Sequence, residues 1–321
     1  MNVLITGGAG FLGQRLAARL LADARVKRLT LLDRAAPAAP AVQADPRVST
    51  VAGDVASLDI LEQTITRETT AIFHLAAVVS GMAEAEFDVG MRANLDATRS
   101  LLEVCRSRRH APKVIFSSSV AVYGGSLPPV VDDGTALTPQ TSYGTQKAIG
   151  ELLVNDYSRR GFVDGRVLRL PTVSVRAGRP NAAASSFASG IIREPLNNEE
   201  AICPVAASSR MWLIAPATVT ECFVVAHDLP AAAFGPTRSV NLPGLSITVG
   251  EMVQALTRVA GPDAAARIRW EEDARIARMV ATWPGALDNT RALALGFPSD
   301  SDFDTVIRSY MAEQAGSGVF R

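Results

Sequence analysis

The strongest constraint on the fold is a glycine-rich turn between an apolar run at the N-terminus and an amphipathic segment. Residues 2–6 have the pattern of a buried strand, and residues 12–21 have that of a helix. The GxxGxxG spacing between them leaves bare backbone beside the amides and the positive dipole end of a helix, where a diphosphate binds. It predicts a cofactor-binding turn made of Gly7, Gly10, Phe11, Leu12 and Gly13.

Short apolar runs alternate with helical patterns up to about residue 170. The runs cover residues 2–6, 28–33, 48–52, 71–75, 113–117 and 165–170, and the clearest helical patterns cover 12–21, 93–108 and 142–159. This alternation predicts an α/β fold with a doubly wound parallel sheet, a Rossmann domain over residues 1–170. Beyond Pro171 the alternation fades. Residues 171–321 are therefore predicted to form a smaller, irregular substrate-binding lobe, partly interleaved with the first, with helices near 249–259 and 303–315.

The composition restricts the class of protein. Hydrophobic residues make up 48% of the chain, which is enough for a large core, and 32 basic side chains balance 32 acidic ones. This balance argues against a nucleic-acid partner. Three scattered cysteines predict neither a disulfide framework nor a metal site, and they fit a reducing cytoplasm. The apolar stretch at residues 223–226 is too short to span a membrane.

Asp33 is the candidate for recognition of the adenosine ribose. It ends the second predicted strand, about 20 residues after Gly13, where a carboxylate binds the ribose hydroxyls and repels a 2′-phosphate. The position favours NAD over NADP, although the adjacent Arg34 is a residue type that accepts such a phosphate.

Tyr143 and Lys147 are the candidate catalytic pair. They lie four residues apart at the start of a predicted helix that Ser142 is placed to cap, so the phenol and the ammonium share one face. Lowering a tyrosine pKa by about three units requires about 4 kcal/mol. One ammonium at about 4 Å supplies a similar amount at an effective dielectric near 20. Lys147 alone is therefore expected to make Tyr143 a general base, with the positive nicotinamide of an oxidised cofactor adding to the effect.

Serines at a strand end supply the third catalytic group. Residues 117–119 follow a predicted strand at the edge where open α/β sheets bind their ligands. A tyrosine and a lysine at this spacing are common on ordinary surface helices. Only together with the strand-end serines and the glycine turn do they favour an enzyme.

These motifs together resemble the extended short-chain dehydrogenase/reductase family. The shared features are the glycine turn, Asp54-Val55, residues 74–77, residues 117–124, the Tyr143/Lys147 pair and residues 169–171. The resemblance implies that Ser119 is the catalytic hydroxyl, with Ser118 as its alternative, and that His74 is part of the scaffold. It also implies a set of cofactor-binding or supporting residues: Asp54, Val55, Leu75, Ala76, Ala77, Asn94, Tyr143, Lys147, Pro171 and Val173.

A narrower resemblance concerns the substrate. Residues 169–176, 180–187, 191–196 and 203–205 are similar to the D-erythronate dehydrogenases, a branch of that family, with departures at Asn198 and Ala215. It implies NAD-dependent oxidation of the C2 hydroxyl of a small sugar acid to a 2-keto acid. The candidate carboxylate ligands are Arg176, Arg179, Arg193 and Arg210.

Among these arginines Arg210 is favoured, because related uronate dehydrogenases have their carboxylate-binding arginine before a similar methionine. The predicted substrate-binding set is Ser80, Ser119, Tyr143, Asn181, Arg193 and Arg210.

Two other functions fit the same scaffold, a nucleotide-sugar epimerase that holds its NAD tightly and a non-catalytic NAD sensor. Such sensors commonly lose the tyrosine or the lysine, and both are present here. The resemblance also implies a homodimer formed through the helices that begin near Asn94 and Ser142.

Overall fold

The computed structural model describes residues 1–36 and 39–316. Its strands are β1 (Asn2–Thr6), β2 (Arg28–Asp33), β3 (Val48–Ala52), β4 (Ala71–His74), β5 (Lys113–Ser119), β6 (Asp164–Leu170), β7 (Thr172–Val173), β8 (Ala201–Cys203), β9 (Arg210–Ile214), β10 (Ser239–Asn241), β11 (Leu245–Thr248) and β12 (Ile268–Trp270).

The α-helices are α1 (Phe11–Leu21), α2 (Pro40–Gln43), α3 (Leu58–Thr64), α4 (Ser80–Ala85), α5 (Phe87–Gly90), α6 (Ala97–Arg108), α7 (Ser142–Arg159), α8 (Phe187–Leu196), α9 (Pro216–Asp228), α10 (Val249–Ala260), α11 (Pro262–Ala265), α12 (Ala274–Val280), α13 (Thr290–Ala294) and α14 (Phe303–Gly316). A π-helical segment, Met91–Asp96, leads into α6, and short 3₁₀ turns occur at Val120–Val122, Ala184–Ser186 and Ala231–Phe234.

Seven parallel strands form the main sheet in the order β10-β6-β5-β4-β1-β2-β3. The strand β1 lies between β2 and β4. Successive strands are therefore added on one side of β1 as far as β3 and on its other side from β4 onward. Open parallel sheets bind ligands beyond the carboxyl ends of the strands at such a switch. This topology confirms the predicted doubly wound sheet and puts the glycine turn beside the segment that follows β4.

Both faces of the sheet are covered by helices. Residues of α1 and α9 pack on one face, and residues of α3, α6 and α7 pack on the other. The central strands are therefore apolar at successive positions, with all four residues of β4 buried. The edge strand β3 differs, because three of its five residues are exposed.

The second lobe is built around its own apolar core, to which α8, β9, α10 and α14 contribute. Two small sheets, β11-β9-β7 and β12-β8, belong to this part of the chain. The segment 216–242 returns to the first lobe, where α9 packs on α1 and β10 extends the main sheet beside β6. The two parts interleave, and the division of the chain at residue 170 stays a prediction. Residues 317–321 of the second part lie outside the described residues.

Among residues 1–36 and 39–316, the helices are too short or too polar to cross a membrane.

Candidate active site

The glycine turn is held in its conformation by close packing. Gly7 has a φ of +73°, and a Cβ added there would lie 2.8 Å from the backbone nitrogen of Ala76. A Cβ at Gly13 would lie 2.2 Å from the carbonyl oxygen of Gly7. Side chains at either position would fill the space that lets the backbone approach a diphosphate at the start of α1. The turn thus fits a dinucleotide.

Asp33 ends β2 directly beside this turn. One of its carboxylate oxygens accepts a hydrogen bond from the backbone nitrogen of Ala9 at 3.0 Å, and the other accepts from that of Ala35 at 3.2 Å. Two backbone donors fix the carboxylate where a ribose would lie, while Arg34 is exposed. The arrangement fits NAD better than a cofactor with a 2′-phosphate.

The remaining cofactor candidates divide into two groups. Leu75, Ala77, Pro171 and Val173 line the same cavity as the glycine turn. The other four, Asp54, Val55, Ala76 and Asn94, lie outside its lining. Asp54 pairs with Arg92 at 3.1 Å, and Val55 packs against the apolar core. The backbone nitrogen of Ala76 donates to the Thr6 hydroxyl.

Asn94 has a supporting role in this geometry. Its side chain accepts from the backbone nitrogen of Val78 at 2.8 Å and donates to the carbonyl oxygen of Val78 and to Gln146. It therefore ties the segment after β4 to α7, and its amide is already bonded to protein atoms.

Tyr143, Lys147 and Ser119 meet where β5 ends and α7 begins. The hydroxyl groups of Tyr143 and Ser119 are hydrogen-bonded to each other. The Lys147 Nζ lies 5.8 Å from the centroid of the Tyr143 ring, on the same face of α7. Thr141, rather than the expected Ser142, caps this helix by accepting from the backbone nitrogen of Gly144 at 3.1 Å.

The electrostatics of this pair differ from the expectation that Lys147 alone would activate the phenol. Burial raises the pKa of Tyr143 to about 12, and the bond with Ser119 lowers it only in part. Burial also lowers the pKa of Lys147 to about 8, against the opposing effect of Glu151. The prediction that Lys147 alone activates the phenol is wrong because it left out burial, which disfavours the charged form of both groups.

The three strand-end serines have different partners. Ser117 donates to the carbonyl oxygen of His74 at 3.1 Å, and Ser118 donates to the Glu151 carboxylate at 2.5 Å. Only Ser119 bonds to the Tyr143 hydroxyl. This geometry favours Ser119 over Ser118 as the catalytic hydroxyl.

A buried polar network anchors the site from behind. The Glu151 carboxylate receives two nitrogens of Arg169 at 2.7 to 3.1 Å, and another nitrogen of Arg169 donates to the Tyr123 hydroxyl. That hydroxyl donates in turn to Asn241 on β10 at 2.9 Å. The network therefore joins β5, α7, β6 and β10 directly beneath Lys147.

His74 also belongs to the scaffold. Its ring nitrogens lie 2.7 Å from the Thr6 hydroxyl and 3.0 Å from the Thr98 hydroxyl, and burial lowers its pKa to about 3. It stays neutral at physiological pH and holds β1, β4 and α6 together.

The substrate half of the cavity contains most of the residues expected there. Ser80 and Asn181 line it, with the Ser80 hydroxyl accepting from the backbone nitrogen of Ala184 at 3.2 Å. Arg193 lines it as well and is buried. Its guanidinium donates to the carbonyl oxygen of Arg176 at 2.9 Å and to Glu194 at 2.5 Å.

The structure does not bring Arg210 to this cavity. Arg210 begins β9, its side chain is exposed, and one nitrogen reaches the Ser246 hydroxyl at 3.4 Å. Its predicted part in binding a carboxylate has no support in this geometry. Of the four candidate arginines, Arg176, Arg179 and Arg193 line the cavity instead.

Sequence reasoning did not find Trp283, which also lines the cavity from the segment after α12. Its indole nitrogen has no hydrogen-bond acceptor among the described residues. Because Trp283 is more than 100 residues from the catalytic motifs and belongs to no recognisable spacing, the sequence carried no signal for it.

The cavity as a whole has a volume of about 300 Å³ and runs from the glycine turn to the second lobe. Lys147 and three arginines line it, and the described lining contains no carboxylate. A phenol, a hydroxyl and a lysine at one end of a cationic cavity beside a dinucleotide turn define an enzyme of the short-chain dehydrogenase type.

Comparisons with known proteins agree with this class. Residues 3–232 match the model of the NAD dependent epimerase/dehydratase family. The chain is 59% identical to a D-erythronate dehydrogenase of Cupriavidus necator, over 98% of this chain and 99% of the relative. It is 50% identical to a D-erythronate dehydrogenase of Haemophilus influenzae, over 97% and 99%.

A solved structure described as the nucleoside-diphosphate-sugar epimerase from Agrobacterium tumefaciens is also similar. It superposes with a TM-score of 0.93 at 42% identity and covers 98% of this chain and 95% of its own. The chain belongs to the NAD-dependent epimerase/dehydratase family, the extended short-chain dehydrogenases, and is an NAD-dependent enzyme. The predicted family is confirmed.

Proposed function

We propose that the enzyme oxidises the C2 hydroxyl of a small, D-erythronate-like sugar acid to a 2-keto acid by means of Tyr143, Lys147 and Ser119. The observation that carries the proposal is the cavity itself. It joins the bonded Tyr143 and Ser119 hydroxyls to a substrate half lined by arginines, with no carboxylate among its described lining residues. The names of the two full-length relatives point to the same substrate.

The protein residues divide the chemistry between them. Ser119 donates a hydrogen bond to the oxygen at C2, and Tyr143 takes the proton from that oxygen. Lys147 holds a positive charge on the same helix face and favours the ionised phenol. Bound NAD would supply the hydride acceptor and a second positive charge beside the phenol.

The substrate carboxylate is assigned to Arg193. This guanidinium is buried in the second lobe and is already oriented by Glu194 and by the Arg176 carbonyl group, which leaves further N–H groups for an anion. Ser80 and Asn181 are assigned to the hydroxyl groups of the substrate. The Ser80 hydroxyl already accepts from Ala184 and keeps its own proton to donate.

The test is a screen of four- to six-carbon aldonic and uronic acids with NAD and with NADP, following absorbance at 340 nm. We expect NADH to accumulate with a four-carbon acid. Tyr143→Phe should remove nearly all turnover and keep NAD binding close to wild type, and Arg193→Met should raise KM for the acid much more than it lowers kcat. Normal turnover by Tyr143→Phe would contradict the assignment.

An epimerase is the second candidate, because a similar structure at 42% identity carries that description. An epimerase returns its hydride and accumulates no NADH. If no sugar acid produces NADH and a nucleoside-diphosphate sugar is converted to its epimer, the epimerase is correct and the dehydrogenase proposal fails.

A homodimer is proposed as well. Exposed apolar side chains occur on α4, α5 and α7, with Phe87 58% and Leu152 64% exposed, and α4 and α5 pack against α7. Light scattering of the wild type and of Leu152→Glu tests it, since the charged variant should be monomeric. Location in the cytoplasm stays a prediction.

A further inference from the structure

Arg176 lies where the two halves of the cavity meet. It follows β7 on the second lobe, yet its guanidinium carbon lies 5.4 Å from the centroid of the Phe11 ring. Phe11 is the first residue of α1 and part of the glycine turn. A side chain of the substrate lobe therefore reaches the place where the diphosphate of a dinucleotide binds.

No carboxylate among the described residues pairs with the guanidinium of Arg176. The guanidinium is half-buried. Burial and the neighbouring charge of Arg193 lower the pKa of Arg176. A partly buried, unpaired cation is unfavourable unless an anion binds beside it.

The other cations of the cavity have different surroundings. Lys147 lies beneath Tyr143, Arg193 is paired with Glu194, and Arg179 is exposed. Arg15 also lies 5.4 Å from the Phe11 ring, but its charge is balanced by Glu313 at 2.5 Å. Arg176 is thus the cation of the cavity lining that contacts the diphosphate turn and has no counter-charge among the described residues.

We propose that Arg176 binds the diphosphate of NAD from the substrate-lobe side, opposite the amides of α1. A guanidinium pairs with phosphate oxygens through two parallel hydrogen bonds. The backbone of Arg176 is tied to α8, because its nitrogen bonds to Ser189 and its carbonyl oxygen accepts from Arg193. Bound NAD would therefore fix the segment that orients the arginine assigned to the substrate carboxylate.

The test measures ligand binding rather than turnover, with ADP-ribose and adenosine as probes. Calorimetry with Arg176→Met should show a Kd for ADP-ribose about ten- to a hundredfold above wild type. The Kd for adenosine, measured by competition, should stay unchanged, and Arg176→Lys should recover part of the loss. The control is Arg15→Met, which removes the paired arginine beside the same ring and should change the Kd for ADP-ribose less than threefold.

Two results would overturn the proposal. One is wild-type affinity of Arg176→Met for ADP-ribose, and a raised KM for the sugar acid in that variant would then assign Arg176 to the substrate. The other is an equal loss for ADP-ribose and adenosine, which would indicate a disturbed turn. The role of Arg193 rests on the proposed sugar-acid function, whereas the binding of ADP-ribose by Arg176 does not. If the wild type were inactive on every sugar acid, the ADP-ribose measurement would therefore still test the role of Arg176.

Discussion

Replacing Lys147 by methionine should make the cofactor-free protein more stable while it removes catalysis. Lys147 is 1% exposed, and burial lowers its pKa from 10.5 to about 8. At about 1.4 kcal/mol for each pKa unit, this fall corresponds to about 3 kcal/mol against the protonated form in the folded state. Methionine has a similar length and no charge, so it removes this penalty and leaves the packing in place.

The sign of the effect depends on pH. Between about pH 8 and 10.5 the unfolded chain binds the lysine proton and the folded chain has lost it, so the contribution of this group to stability rises with pH across that window. Below about pH 8 both states are protonated and the full penalty is present. At pH 7 the variant should therefore gain up to about 3 kcal/mol, and its advantage should disappear toward pH 10.5.

Denaturant unfolding of the wild type and the variant between pH 7 and 10, without NAD, measures this difference. Turnover should fall roughly 10²- to 10⁴-fold in the same variant. Lys113→Met is the matched control. Burial lowers the pKa of Lys113 as well, but its ammonium is only half-buried outside the cavity and donates to the carbonyl oxygen of His227 at 2.8 Å, so this variant should gain less stability than Lys147→Met. An unfolding free energy of Lys147→Met at or below wild type at pH 7 would refute the reasoning.

Three further changes test other parts of the site. Ser119→Ala should lower turnover roughly 100-fold and cost about 1 kcal/mol of stability, because the backbone nitrogen of Ala121 loses its acceptor. Ser118→Ala should lose about 1–3 kcal/mol of stability because Glu151 loses a donor, and should keep most of its turnover; kinetics and denaturation of both variants check this. Gly13→Ala should weaken NAD binding more than tenfold in a fluorescence titration, because the added Cβ would lie 2.2 Å from a carbonyl oxygen of the turn. Glu151→Gln should cost about 3–5 kcal/mol in denaturant unfolding, because Arg169 would be left buried with its charge unpaired.

The sheet was predictable from the sequence because its central strands are covered on both faces. Apolar residues at successive positions marked β1, β2, β4, β5 and β6 within one or two residues of their observed bounds. The strand β10 was not predicted. It has three residues and joins the sheet about 70 residues after its neighbour β6, so neither its length nor its position gave a signal.

The catalytic half of the site was predictable for a related reason. The carboxyl ends of parallel strands meet at one edge, so the glycine turn, Ser119 and the segment after β6 had to lie together once the sheet was known. The substrate half was predictable only in part: Ser80, Asn181 and Arg193 line it as expected, but the choice among the arginines failed because the second lobe lacks a periodic pattern. The sequence analysis favoured Arg210 over Arg176 by analogy with related enzymes, and only the fold shows that Arg210 lies at the surface and Arg176 against Phe11.

The three consecutive serines show how far a motif can be interpreted without a structure. Ser117, Ser118 and Ser119 are chemically equal, and the family resemblance favours Ser119, with Ser118 as its alternative, without giving a physical reason. Alternation along β5 turns Ser118 to the same side as Phe116, toward α7. There Glu151 accepts a hydrogen bond from Ser118, and Lys147 packs over the Phe116 ring. Ser118 is thereby committed to the buried charge network. Ser119, at the end of the strand, is the hydroxyl that bonds to the phenol. The partners on α7 thus give the physical reason for a choice that the motif made by resemblance alone.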